Sequence, residues 1–158
     1  MERKMKLGME VVNFNAAGID VGSRSHYVAV GQELEDVKEF GVYAEDLTAL
    51  CHWLLECDVT TVAMESTGDY WQNLYTELIG FGFEVVLANG KFTKNAKGRK
   101  TDVKDCRWIQ KLHTLGLLTG SFLPDLATEQ LRTYCRQRGN WIVLASSATH
   151  KMQKFLKL

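Results

Sequence analysis

Apolar and polar positions fall into distinct blocks along the chain. Ala16–Val21 is a short apolar run broken only by Asp20, and Gly22, Ser23 and Arg24 follow it as turn residues. His26–Val30 resumes β-rich sequence, so the two runs predict a hairpin. Val37–Tyr43 alternates less cleanly and predicts a third strand beside it. From Asp46 the period changes. Leu47, Leu50, Cys51, Leu54 and Leu55 mark one apolar face of a helix, with Asp46 as its cap. Thr60–Met64 predicts a buried strand ending at Glu65. Ser66, Thr67 and Gly68 separate it from a second helix, from Asp69 through Trp71, Leu74, Tyr75, Leu78 and Ile79, which Gly80 and Gly82 stop. Phe83–Ala88 predicts the next strand.

Beyond Ala88 the character changes. Asn89–Thr101 is polar, basic and glycine-containing, and reads as a loop or a short helix. Thr101 or Asp102 caps a helix through Val103, Cys106, Ile109, Gln110 and Leu117, and Gly120 to Pro124 break the chain again. In the last segment, Leu126, Leu131, Tyr134, Ile142, Leu144, Ala148, Met152 and Phe155 predict one long helix, or two interrupted near Gly139. The order β-β-β-α-β-α-β followed by helices predicts an α/β fold. A mixed sheet begun by an antiparallel hairpin, flanked by helices and continued by a helical extension, matches the ribonuclease-H-like arrangement. A dinucleotide-binding fold is excluded, because no GxGxxG follows the first strand.

Length bounds the organisation: 158 residues make one domain with a helical extension. A chain of this size buries enough surface to fold without disulfides or a structural metal. Cys51, Cys57, Cys106 and Cys135 form no CxxC pair and no zinc-ligand spacing, and read as reduced thiols, mostly small core residues. No apolar run approaches the ~20 residues of a membrane span. The N-terminus has no apolar signal core, so a cytoplasmic protein without a membrane partner is expected.

The formal net charge of zero conceals an asymmetry. Residues 1–90 hold 5 Lys/Arg against 15 Asp/Glu, whereas residues 91–158 hold 14 against 4. So pure a basic half predicts a polyanionic partner, nucleic acid first, although a solvated helix surface has the same composition.

Four acids stand where a site can form. Asp20 lies in the first strand and Glu65 at the end of the fourth; Asp102 and Asp105 open a helix at i, i+3 and share one face. Ligands of α/β sheets bind at strand ends. Carboxylates converging there repel one another unless a hard cation such as Mg²⁺ neutralises them, and two such ions form the known clamp for phosphoryl transfer. Asp102 and Asp105 are equally explained as a cap and a first-turn acid of their helix. Asp20 and Glu65, beside buried strands, are harder to explain without a partner.

Three motifs carry a resemblance: GIDVGSRSHYVAV from Gly18, AMESTGDYW from Ala63 and KTDVKDC from Lys100. In this order and spacing they resemble the N-terminal domain of DEDD transposases, insertion-sequence recombinases whose N-terminal domain is similar to the junction resolvase RuvC. The resemblance is strong over residues 16–123, and residues 131–158 look like the helical segment that follows. It implies a RuvC-like catalytic domain over residues 1–123, and over 124–158 the start of a helical, coiled-coil-like linker. By the same resemblance Asp20, Glu65, Asp102 and Asp105 are the catalytic, metal-binding acids, with Mg²⁺ or Mn²⁺ as cofactor. Cys106 stands where the family often has Ala.

What the resemblance implies for function is Mg-dependent DNA strand cleavage and recombination in transposition. Lys91, Lys94, Lys97, Arg99, Lys100, Lys104 and Arg107 would contact phosphates, with binding that falls steeply as salt rises. The Lys91–Lys104 loop would order only on nucleic acid. Tyr70, Trp71 and Trp108 suit base stacking, although aromatics at helical spacing are more often core. Implied partners are DNA, a structured guide RNA and further copies of the chain, as dimer or tetramer. Family members continue into a second domain with a nucleophilic serine, expected beyond Leu158; Ser66, Ser121, Ser146 and Ser147 are not assigned that role. Two other functions fit the same residues: a stand-alone junction-resolvase-like nuclease, and a non-catalytic nucleic-acid-binding module.

Overall fold

A computed structural model of the chain describes residues 10–65, 68–90 and 101–157. Five strands, β1 (Ala16–Val21), β2 (His26–Ala29), β3 (Val37–Phe40), β4 (Thr61–Glu65) and β5 (Glu84–Ala88), form one sheet. Among the described residues four helices accompany them: α1 (Ala44–Glu56), α2 (Trp71–Gly80), α3 (Asp102–Thr114) and α4 (Leu126–Leu156). The spatial order is β3-β2-β1-β4-β5. β1–β2 and β2–β3 are antiparallel, whereas β1–β4 and β4–β5 are parallel. This mixed α/β sheet flanked by helices agrees with the ribonuclease-H-like class expected from the sequence.

Register divides the sheet into two unlike faces, because side chains alternate along each strand. Ala16 and Gly18 of β1 pair with Thr61 and Ala63 of β4, and Gly18 also pairs with Ala29 of β2. At these positions the face is made of small residues and lies under α3. The alternate positions Ala17, Ile19, Val21, Val28, Val62 and Met64 are bulkier on average and are all buried. They point away from α3, toward the side covered by α1 and α2, whose Leu50, Leu54, Leu74 and Leu78 are fully buried. At the β3 edge Phe40 packs on Trp53 of α1, ring centroids 5.5 Å apart, and the Lys38 ammonium lies over the same indole.

Three helices end in the same way. In each, the second residue past the C-cap donates back to the carbonyl five positions earlier: Val59 to Leu54, Phe83 to Leu78, Leu117 to Leu112. The residue between adopts positive φ at Asp58, Gly82 and Gly116, which makes this the Schellman termination. Gly116 therefore stops α3 at Thr114, short of Leu117, which the periodicity had included and which is exposed. α1 also starts earlier than its pattern suggested. Asp46 is not the N-cap but the third helical residue, and its carboxylate reaches back to accept the Tyr43 N–H at 3.2 Å. That turn ends β3 at Phe40 instead of Tyr43.

The chain forms two compact units, which divide at Ser121 and Phe122. The second consists of α4, a single 31-residue helix that runs through Gly139 without interruption. Asp125 caps it, accepting the Thr128 N–H at 2.8 Å and the Thr128 hydroxyl at 3.0 Å. No helix among the described residues is long and apolar enough to cross a membrane.

Candidate metal centre

Asp20 occupies the last but one position of β1, at the end where the parallel strands β4 and β5 also terminate. Its side chain shares the face of Gly18, because the two are two residues apart. α3 crosses this face so that its first turn lies over Asp20. Ligand oxygens of Asp20, Asp102 and Asp105 all lie within 4.8 Å of one another. Sequence spacing had put Asp102 and Asp105 on one helix face; the fold adds that this face meets the strand. Thr101 caps α3, its hydroxyl accepting the Lys104 N–H at 3.4 Å, so Asp102 is a first-turn residue and not the cap.

Glu65 ends β4, one residue past the last register pair, Ile19 with Met64. Continuing that register sets it beside Asp20 and on the same face. Its carboxylate lies against Gly90, where a Cβ would stand 2.5 Å from Oε1. Glu65 is outside the three-carboxylate group. Lys104 is exposed on α3, whereas Arg107 is half-buried and its Nη2 donates to the Gln32 carbonyl. Lys91, Lys94, Lys97, Arg99 and Lys100, with residues 91–100 of the loop expected to order on nucleic acid, lie outside the described residues, whereas its last residues, Asp102 to Lys104, already form the first turn of α3.

One residue at the centre escaped the sequence reading. Tyr27 pairs directly with Asp20 across the β1–β2 hairpin and therefore stands on the same face. With Thr101, Asp102 and Val103 it lines an open depression of about 360 Å³. Its hydroxyl is held above the usual tyrosine pKa, first by the hydrogen bond to Glu39, then by shielding from water and by the Glu39 and Asp102 charges. The signal that finds it is the hairpin register counted from the Gly22–Ser25 turn.

The two buried thiols take no part in such chemistry. Burial pushes the Cys51 and Cys106 thiols up to about 12, so neither is a thiolate nucleophile. Cys57 and Cys135 are exposed, so only two of the four cysteines are core residues. Trp71 stacks edge-on against Tyr75 at 5.8 Å, and Tyr70 is exposed beside it; neither is a core residue.

A donor set of three carboxylates suits a hard cation of the Mg²⁺ or Mn²⁺ kind, since soft thiolate and imidazole donors are absent from the group. The fold and this group define a ribonuclease-H-like domain with carboxylates gathered at the carboxyl end of its central strand. A family model of DEDD transposases of the IS110 type matches residues 17–158, and the chain belongs to that transposase family. Its members act in DNA transposition within insertion sequences, which makes DNA the substrate class. No curated protein matches the sequence significantly.

Proposed function

We propose that residues 1–123 form the catalytic domain of a transposase that cleaves and transfers DNA strands with Mg²⁺ or Mn²⁺, and that residues 124–158 begin a helical linker. Asp20, Asp102 and Asp105 would hold the ion, with Glu65 completing the acidic set from the neighbouring strand. When bound, a divalent ion of this kind neutralises the carboxylates and acts as a Lewis acid toward phosphodiester oxygens. The observation that carries the reading is the meeting of the three carboxylates within 4.8 Å, from a strand end and a helix 82 residues further along the chain, in a member of a transposase family.

The chain's own residues divide the remaining work. The strand and the first turn of α3 hold the acids in place before substrate arrives, so their mutual repulsion is balanced by the fold and not by side-chain rearrangement. The depression beside Tyr27 gives the DNA backbone room next to the acids. Lys104, with Lys91, Lys94, Lys97, Arg99 and Lys100, would contact phosphates, and Arg107 would add donors left over from its bond to Gln32. A structured RNA that selects the target and assembly into dimers or tetramers belong to the same reading through family resemblance alone.

Incubation of the protein with branched and linear DNA in Mg²⁺ or Mn²⁺, with Asp20→Ala alongside, tests the proposal. Strand cleavage or joining that disappears in Asp20→Ala is expected. DNA binding equal in both proteins, with no cleavage in either under any divalent ion, would leave only a nucleic-acid-binding module.

A further inference from the structure

The three acids meet only because α3 lies unusually close to β1. Gly18 is the contact point. A Cβ built there would stand 2.2 Å from the Gln110 nitrogen, 2.6 Å from the Gln110 Cα and 2.6 Å from the Cys106 carbonyl oxygen. All three are backbone atoms of the helix, so no side-chain rotation relieves the overlap. Any residue other than glycine at position 18 requires the helix itself to move.

Polar contacts fix the position of α3 along the strand. Gln110 Nε2 donates to the Ala16 carbonyl at 3.1 Å, and Gln32 Nε2 reaches both Gln110 Oε1 and the Arg107 carbonyl, the latter at 3.0 Å. Further along, the Thr61 hydroxyl pairs with His113 Nε2 at 2.9 Å, and the Val12 and Asn13 N–H groups donate to the Thr114 carbonyl. The helix therefore runs opposite to β1: Thr114 near Asn13, Gln110 over Ala16 and Gly18, Asp105 and Asp102 over Asp20. From Gly18 the strand needs roughly 7 Å to reach Asp20. From Cys106 the helix needs about 6 Å to reach Asp102. Matching lengths on either side of one tight contact bring the acids together.

We propose that Gly18 and Gln110 are positioning residues for the carboxylate centre: the glycine sets how near α3 comes to β1, and the glutamine sets where along β1 it stops. The proposal rests on the reading of the three acids as a cation site. Substituting either residue displaces Asp102 and Asp105 from Asp20 while leaving every carboxylate in the chain.

The test is a titration of Mn²⁺ against the protein, with free ion read by electron paramagnetic resonance, beside circular dichroism and a thermal melt without metal. Gly18→Ala, where helical content is retained, is expected to weaken Mn²⁺ binding at least tenfold. Gln110→Met, which keeps the volume and removes the bonds to Ala16 and Gln32, is expected to weaken it several-fold. Leu78→Ala, buried on the far side of the sheet, lowers the melting temperature as well and is expected to leave Mn²⁺ affinity at the parent value. This separates positioning from general loss of stability. Folded Gly18→Ala with parental affinity overturns the proposal. If Gly18→Ala does not fold, Gln110→Met decides alone, and parental affinity there overturns it. Asp105→Asn tests the underlying reading: should it bind Mn²⁺ like the parent, the cation site and this proposal fall together, whereas its loss of binding beside unaffected Gly18 and Gln110 variants sinks the positioning claim only.

Discussion

The two faces of the sheet are built from the same five strands and solve different problems. The face under α1 and α2 presents Ile19, Val28, Val62 and Met64, all fully buried. Apart from the buried His26, its contacts are apolar and non-directional. The face under α3 presents Ala16, Gly18, Ala29 and Ala63, and its helix is held by backbone contact and by hydrogen bonds from Gln32, Gln110, Thr61 and Asn13. Such bonds have short ranges and narrow angles. One face supplies burial; the other supplies placement, and the carboxylates stand on the second.

The comparison breaks most sharply at a core leucine. Leu74→Ala on α2 is expected to cost about 2–5 kcal/mol of stability in chemical denaturation, from lost burial and the cavity left behind. Mn²⁺ affinity of the folded fraction should not change. A drop in affinity matching the drop in stability would mean that the two faces are not separable.

Histidines sharpen the contrast, because one lies on each face. His26 points to the bulky face and His113 bonds Thr61 on the other; burial holds both below the ordinary histidine pKa, with Glu84 partly offsetting this at His113. At pH 7.5 both are therefore neutral in the folded chain, and on acidification the unfolded chain takes up their protons more readily. Stability is fully present above the unfolded value near 6.5 and falls as pH drops below it. Each histidine contributes at most ~1.4 kcal/mol per pH unit within that window. Urea denaturation at pH 7.5 and 5.5 should show the decline, and replacing either histidine with Gln should reduce its slope. An unchanged slope in both variants would assign the pH dependence elsewhere.

Smaller effects are expected from the polar contacts themselves. Thr61→Val removes the hydroxyl paired with His113 and should cost about 1 kcal/mol, with the imidazole left without its partner. Its melting temperature should fall less than that of Leu74→Ala. The smallest effect is expected from Asp125→Ala, in the second unit. It removes the cap of α4, whose hydrogen bonds from Thr128 hold the Asp125 carboxyl below its usual pKa. Helix content should fall slightly at neutral pH. In the parent the same contribution is present above the ordinary carboxylate range and lost as pH drops through the lowered value, so the two proteins should converge in acid.

How much of this was legible beforehand varies by element. Four of the five strands and α2 were visible within a residue or two, because alternation and three-to-four spacing are local signals, whereas β3 stops three residues short of its pattern. Termini were less so. Asp46 has the chemistry of a cap, yet it works from inside the helix, since where the chain turns after Phe40 decides which residue comes first. Leu117 continues an apolar period that a positive φ at Gly116 cuts off. For the site, Asp20, Glu65, Asp102 and Asp105 stood out as acids where acids are costly or paired, and the fold gathers the three aspartates while Glu65 stays outside their group. Tyr27 did not, because an aromatic residue in a strand is ordinary until its partner across the hairpin is known.

Residue types and their periods are written in the chain, and they determined the α/β class, the order of strands and helices and the apolar stripe of each packed helix. Closeness across the chain is another matter. Gln110 lies 94 residues from Ala16, and only the packed fold brings its amide to that carbonyl. The approach of α3 at Gly18, the meeting of Asp20 with Asp102 and Asp105, the placing of Glu65 against Gly90 and the engagement of Arg107 with Gln32 were decided there. Periodicity is set by neighbours three or four positions away. Contact between a strand and a helix far along the chain depends on how every intervening element packs, and no local pattern encodes that.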